Sequence, residues 1–282
     1  MRQYMEIDGE PAGPEGLGTA LSGYGHFTYM QVRSRRVRGL DMHLERLDGA
    51  TRELFGQPLE AARVLPLVRH ALEAAGREDA SVRVQVFAAD TAALLSGAPA
   101  DTRVLVMVRP PADPAETPLH LRTVTFERFL PHLKHLDTMG LLHAGRTARR
   151  DGFDDALLTD RTGHVSEASL ANVVLYEGGA DGGTAADGDG VFVWPDAPAL
   201  PGIMRGLLRR GMTRLGLPYE DRPVHRDALP RFRSAFLVNS ISPAQPVTSV
   251  DGTGFGAPAP DEAARRLLLK AYEANPWEAL EG

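Results

Sequence analysis

A chain of 282 residues is long enough for one large or two smaller hydrophobic cores. Its 43% hydrophobic and 24% charged residues are ordinary values for a soluble globular protein. The formal net charge of -6, with no basic run longer than a pair such as Arg35-Arg36, gives no reason to expect nucleic acid or an anionic membrane as partner. The absence of cysteine removes disulfides, thiolate metal sites, iron–sulfur clusters and a cysteine nucleophile. The start Met1–Glu6 has no apolar run behind a basic residue, and no stretch approaches the roughly 20 apolar residues that span a bilayer. The expectation is a soluble, cytoplasmic protein.

Residues 1–20 are punctuated by Gly13-Pro14 and Gly16-Leu17-Gly18 and read as an arm or short hairpin. Phe27 to Val37 favours strand, with a turn near Gly39. Asp41 is placed to cap a helix whose apolar positions Met42, Leu44, Leu47, Ala50, Leu54 and Phe55 recur at helical spacing. A second amphipathic helix runs from about Leu59 to Ala75. Ser81–Phe87 alternates with a period of two, and Arg103–Val108 is a further apolar strand. The prolines at 110, 111, 114 and 118 then mark a linker. Beyond it come a strand at Leu121–Phe126, a helix predicted over Leu133–Arg150, and strands at Asp155–Asp160 and Asn172–Tyr176. The Gly/Asp/Ala stretch from Glu177 to Gly190 reads as a flexible hairpin loop. Val191–Trp194 resumes a strand, Pro201-Gly202 leads into a helix over Ile203–Leu215, Ser234–Val238 is a strand, and Pro260–Ala274 a helix. Helices and strands mix without regular alternation, so the fold class is α+β. The domain expectation is an N-terminal lobe over 1–109, a linker over 110–118 and a C-terminal lobe over 119–282.

Six short blocks stand out. They are Gly25-His26-Phe27, His43-Leu44-Glu45-Arg46-Leu47, Leu133-Lys134-His135-Leu136, Val165-Ser166-Glu167-Ala168-Ser169-Leu170-Ala171-Asn172, Leu200-Pro201-Gly202-Ile203-Met204-Arg205, and Asn239-Ser240 before Pro246-Val247. In this order and at these separations they resemble the class IV aminotransferase family of fold type IV pyridoxal-phosphate enzymes. That family includes branched-chain and D-amino-acid aminotransferases and aminodeoxychorismate lyase. The resemblance implies two lobes, a smaller N-terminal α/β lobe and a larger C-terminal, cofactor-binding lobe with a mixed sheet or barrel. It also implies a homodimer, pyridoxal 5'-phosphate as cofactor, and amino acids and oxo acids as substrates.

The residues make chemical sense in those roles. The cofactor aldehyde needs an amine that forms a Schiff base and then shuttles a proton. Lys134 and Lys270 are the only lysines. Lys134 lies between apolar Leu133 and Leu136, where burial favours a nucleophilic amine. Lys270 reads as the solvated face of a terminal helix. A carboxylate beside the ring nitrogen strengthens the cofactor as electron sink, and Glu167 matches the family's carboxylate. Asn172 follows at the family's spacing and is equally readable as a turn residue opening a strand. A phosphate needs a cation and converging backbone N–H groups, which the helix start at Gly202, Ile203 and Met204 offers. By resemblance, Arg46 is the phosphate arginine, and Ser240 with Ile241 contributes from a late loop. Tyr24, Phe27 and Tyr29 are the candidate substrate wall. The nine histidines are scattered without acidic partners at ligand spacing, so no metal site is expected, and His132 and His135 border the lysine.

The chain also departs from the family pattern. Many members carry a tyrosine five residues after the lysine, where Met139 stands here. Phe27–Val32 replaces the commoner Phe-Glu-Thr-Ile-Arg-Val, and Ala88-Ala89-Asp90 stands where many carry Thr-Arg-Gly. The carboxylate-binding arginine of the D-amino-acid enzymes has no obvious counterpart. Lys134-His135-Leu136 and Gly202–Arg205 resemble the lyase branch. Transamination is the leading reading, on the matching blocks. The alternatives are a β-elimination of the aminodeoxychorismate lyase type, giving pyruvate and 4-aminobenzoate, and a catalytically silent binding protein.

Overall fold

The computed structural model describes residues 3–12, 23–90, 92–178, 190–257 and 261–280. The expected arm around Gly13–Gly18 and most of the loop from Glu177 to Gly190 lie outside these residues. The chain divides into two compact units. The first holds residues 1–112, 133–137 and 276–282, and the second holds 113–132 and 138–275. The chain thus returns to the first unit twice after the proline-rich linker, in segments that the sequence assigns to the C-terminal lobe.

The first unit is built on a five-stranded sheet in the order β2-β1-β6-β5-β3. Its strands are β1 (Tyr4–Ile7), β2 (Glu10–Pro11), β3 (Gly25–Val32), β5 (Ala80–Ala88) and β6 (Thr102–Arg109). The inward residues Val82, Val84, Val86, Val104, Val106 and Val108 are fully buried against α1 (Leu40–Phe55) and α2 (Ala61–Ala74). Asp41 does not cap α1. The N-cap is Gly39, and the carboxylate of Glu278 accepts from the N–H groups of Gly39 and Leu40 at 3.1 and 3.2 Å. Glu278 comes from β16 (Glu278–Ala279), which pairs antiparallel with β4 (Arg36–Val37). A carboxylate from the far end of the sequence therefore meets the positive end of the helix dipole.

Of the expected helix over Leu133–Arg150, only the last 12 residues are helical. The helix starts at Met139, as α4 (Met139–Arg150). Residues 133–137 are instead extended along the outer edge of β3. Phe27 donates to the Lys134 carbonyl at 2.9 Å, and Leu136 donates to that of Gly25 at 2.8 Å. β3 ends the sheet, so its unpaired backbone groups need a partner, and tertiary pairing overrides the local helical spacing. A five-residue helix, α3 (Ala92–Ser96), completes the described helices of this unit.

The second unit has a mixed sheet in the order β12-β11-β10-β13-β14-β7-β8-β9. It curls into a half-barrel. The strands are β7 (Leu119–Thr125), β8 (Asp155–Thr159), β9 (Val165–Ala168), β10 (Asn172–Glu177), β11 (Val191–Pro195), β12 (Tyr219–Arg222), β13 (Ser234–Val238) and β14 (Gln245–Val250), with short β15 (Thr253–Gly254) on β14. Both faces are buried. Val173, Leu175 and Val193 point to one core with Leu121 and Leu157. Val174, Tyr176, Phe192 and Trp194 alternate to the other, under α5 (Ile203–Leu215) and α6 (Glu262–Glu273). Burial on two sides explains why these strands read as unbroken apolar runs. The helices α5 and α6 approach closely at Gly211, where a Cβ would lie 1.8 Å from the Ala271 carbonyl oxygen. No helix among the described residues is long and apolar enough to cross a membrane.

Candidate active site

In the first unit the candidate residues gather on β3 and the segment beside it. Alternation along β3 sends Phe27 and Tyr29 to one face and His26 and Thr28 to the other. On the first face the Lys134 Nζ lies 4.8 Å from the centre of the Phe27 ring. The Arg83 guanidinium lies 3.8 Å from the same ring, brought there because Arg83 is the cross-strand partner of Tyr29. Lys134 is half-buried, whereas Lys270 is exposed on α6. His135 is buried and His132 is exposed. Burial, and then the charge of Arg109, pulls the Arg83 guanidinium below its usual pKa. Sequence reasoning missed Arg83. The only signal was a charged residue inside an alternating strand, and its meaning depends on the β3–β5 register.

On the opposite face β3 is bonded to α1 by two histidine–hydroxyl pairs. His26 Nε2 lies 2.9 Å from Thr51 Oγ1, and His43 Nδ1 lies 2.6 Å from Thr28 Oγ1. Thr51 donates its own proton to the Leu47 carbonyl at 2.7 Å, so His26 Nε2–H must be the donor in its pair. Burial pushes both histidines down to about 3, with the Arg46 charge a second cause at His43. These bonds set how α1, and with it half-buried Arg46, lies on β3. Tyr24 is 45% exposed, its hydroxyl donates to the Leu54 carbonyl at 3.1 Å, and its ring packs edge-on against Phe55. It thus turns toward the end of α1, apart from the Phe27–Tyr29 face.

In the second unit Glu167, on β9, is buried and forms an ion pair with buried Arg128 at 3.5 Å. Burial lowers the Arg128 pKa and the Glu167 charge raises it. Glu167 Oε2 also accepts from the Leu200 N–H at 3.4 Å, and the Asn172 amide donates to the Leu200 carbonyl at 2.8 Å. Two residues later Gly202 is the N-cap of α5, in extended backbone and without a side-chain cap. The first-turn N–H groups, at Ile203 and Met204 among others, have no acceptor within the helix. Ser240 and Ile241 sit in a turn built by Asn239, whose Oδ1 accepts from the N–H groups of Ile241 and Ser242 at 2.9 and 3.0 Å. The Ile241 N–H is therefore already committed. Met139, in the position of the family's tyrosine, is 78% exposed. Among the described residues no group of three or more His, Asp or Glu side chains could hold a metal ion.

Residues 25–250 match the family described as amino-transferase class IV. Over 117 residues the chain is 28% identical to the branched-chain-amino-acid aminotransferase of Escherichia coli strain K12. That match covers 41% of this chain and 34% of the relative, so the chain spans about a third of the length of the curated relatives it matches. Among solved structures, that of the E. coli branched-chain enzyme superimposes with a TM-score of 0.77 at 20% identity, covering 95% of this chain and 92% of that one. A hypothetical aminotransferase from Mycobacterium tuberculosis, in a PLP-bound form, gives 0.76 at 19% identity over 96% and 98%. A Legionella pneumophila protein assigned as a 4-amino-4-deoxychorismate lyase gives 0.73 at 22% over 92% and 94%. At these identities the superpositions establish the fold. With the family match over residues 25–250, the chain belongs to the class IV aminotransferases.

Proposed function

We propose that this protein is a pyridoxal-phosphate-dependent aminotransferase that moves an amino group between an amino acid and a 2-oxo acid. The observation that carries the proposal is Lys134, one of two lysines in the chain, held on the edge of β3 with its amine over the Phe27 ring. Family membership and the PLP-bound M. tuberculosis relative support it. The residues present fit the cofactor. Buried Glu167 is a carboxylate paired with a guanidinium, suited to a protonated ring nitrogen, and the uncapped start of α5 suits a phosphate. When bound, pyridoxal phosphate supplies an electron sink that makes the substrate α-proton removable.

In this reading Lys134 would hold the cofactor, and its amine, once released, would take up and carry the substrate α-proton. Glu167 keeps the ring nitrogen protonated. The N–H groups of Ile203 and Met204 beyond Gly202, the Arg46 guanidinium and the Ser240 hydroxyl receive the phosphate, while the Ile241 N–H stays with Asn239. Phe27 and Tyr29 line the substrate side, and Arg83 offers its half-buried charge to a substrate carboxylate. A homodimer and a cytoplasmic location complete the proposal, supported by family membership and by the cysteine-free composition respectively.

A second reading has its own support. The Lys134-His135-Leu136 and Gly202–Arg205 segments, which resemble the lyase branch, and the Legionella relative favour a lyase-type elimination releasing pyruvate and 4-aminobenzoate. Amino transfer from a donor panel to 2-oxoglutarate, run beside pyruvate release from aminodeoxychorismate, separates the two, and turnover in the second assay alone sinks the first reading. The reconstituted protein is expected to absorb near about 420 nm, and Lys134→Ala to abolish that band. A protein with no band after cofactor is added, and no change in Lys134→Ala, is the silent relative.

A further inference from the structure

Asn172 has no role in the reading above, yet it touches the phosphate turn at two points. It is the first residue of β10 and is buried to 7% exposure. Its Nδ2 donates to the Leu200 carbonyl at 2.8 Å. Its Oδ1 lies where Gly202 has no side chain, 2.0 Å from the position a Cβ would take. Between these points the chain contains only Pro201, whose ring fixes φ. The Leu200 N–H meanwhile donates to Glu167. Leu200 is thus gripped at its N–H by the carboxylate and at its C=O by the amide. Glu167 and Asn172 are in turn tied together by a tight connection in which the Ala168 N–H donates to the Ala171 carbonyl at 2.7 Å.

We infer that Asn172 is a positioning residue for cofactor binding: it holds the Gly202–Met204 turn where its N–H groups meet the phosphate, and through Leu200 keeps that turn in register with Glu167. The inference rests on the cofactor reading above. It gives the absence of a side chain at 202 a cause, because the amide that orients the turn occupies the space. A displacement at Leu200 moves the carboxylate and the helix start together, since two residues separate Leu200 from Ile203.

The test is titration of apoprotein with pyridoxal 5'-phosphate and, separately, with pyridoxal, which lacks the phosphate, in wild type, Asn172→Ala, Asn172→Leu, Gly202→Ala and Asn172→Ala/Gly202→Ala. Asn172→Leu is close in shape and removes the amide without adding charge, so it carries the test if the alanine variant fails to fold. Asn172→Ala and Asn172→Leu are expected to lose about tenfold or more in affinity for pyridoxal phosphate, and less for pyridoxal. Gly202→Ala is expected to cost affinity in the wild-type background and clearly less beside Asn172→Ala, where the clashing oxygen is gone. Unchanged affinities in Asn172 variants whose unfolding temperature alone has dropped would make Asn172 a structural residue and overturn the inference. An equal cost of Gly202→Ala in both backgrounds would overturn it too. Wild-type protein that binds no pyridoxal phosphate at all removes the cofactor reading itself, an outcome distinct from normal binding by wild type and variants alike.

Discussion

Lys134 and Arg83 both approach the Phe27 ring, and two cations gathered at one ring are an electrostatic arrangement that asks for an anion nearby. Arg83 makes no ion pair with an acidic residue among the described residues. A substrate carboxylate would supply that charge. Arg83→Gln is therefore expected to raise KM for dicarboxylic donors and acceptors by about ten- to a hundredfold, with kcat changed less, in steady-state assays with glutamate and 2-oxoglutarate. A uniform fall in kcat with KM unchanged would place Arg83 outside substrate binding. The lysine was legible in the sequence because the chain is so poor in lysine that elimination leaves one exposed competitor. The arginine was not, because nothing near position 83 announces that strand pairing will set it opposite Tyr29.

At the scale of elements, the interface of β3 with α1 carries a pH dependence. His26 and His43 have pKa values pushed down to about 3 in the folded state, against 6.5 when exposed. Between those values the unfolded chain binds protons that the folded one refuses. The stability these neutral histidines allow is complete above pH 6.5 and is lost as pH falls toward 3. Each contributes a slope of about 1.4 kcal/mol per pH unit in that window. Denaturation midpoints should fall accordingly as pH is lowered across the window, and His26→Phe should remove about half of the effect. The α5–α6 contact makes a separate prediction: Gly211→Ala must push the Ala271 backbone away and should cost about 2 kcal/mol or more, read as a lower denaturation midpoint at constant slope. Elements whose apolar residues repeat at one period were readable, as with α5 at Ile203–Leu215 and β13 at Ser234–Val238, where the expected and observed bounds coincide. Polar β12, two-residue β16 and the extended run at 133–137 were not, since pairing with distant backbone makes them strands and their own side chains do not.

For the molecule as a whole, the last residues of the chain help to hold the first unit. Glu278 caps α1, the Leu280 carbonyl accepts from Arg69 at 3.0 Å, and the Arg38 guanidinium stacks 4.4 Å from the centre of the Trp277 ring. Deleting residues 276–282 should destabilise that unit by about 2 kcal/mol or more. Amide hydrogen exchange should speed up along α1 and stay unchanged along α5, and equal acceleration in both helices would refute a local role. The proposed dimer predicts a sedimenting mass of twice 30.5 kDa at micromolar concentration.

The return of the tail also bears on how the protein is made. A ribosome releases residues 1–112 long before residue 280, so the N-terminal unit emerges with α1 uncapped, β4 unpaired and the edge of β3 open until Lys134 and its neighbours arrive. The open edge of β3 is the backbone template that invites pairing with another nascent chain. Slow synthesis or premature truncation is thus expected to harm the half of the protein that is translated first.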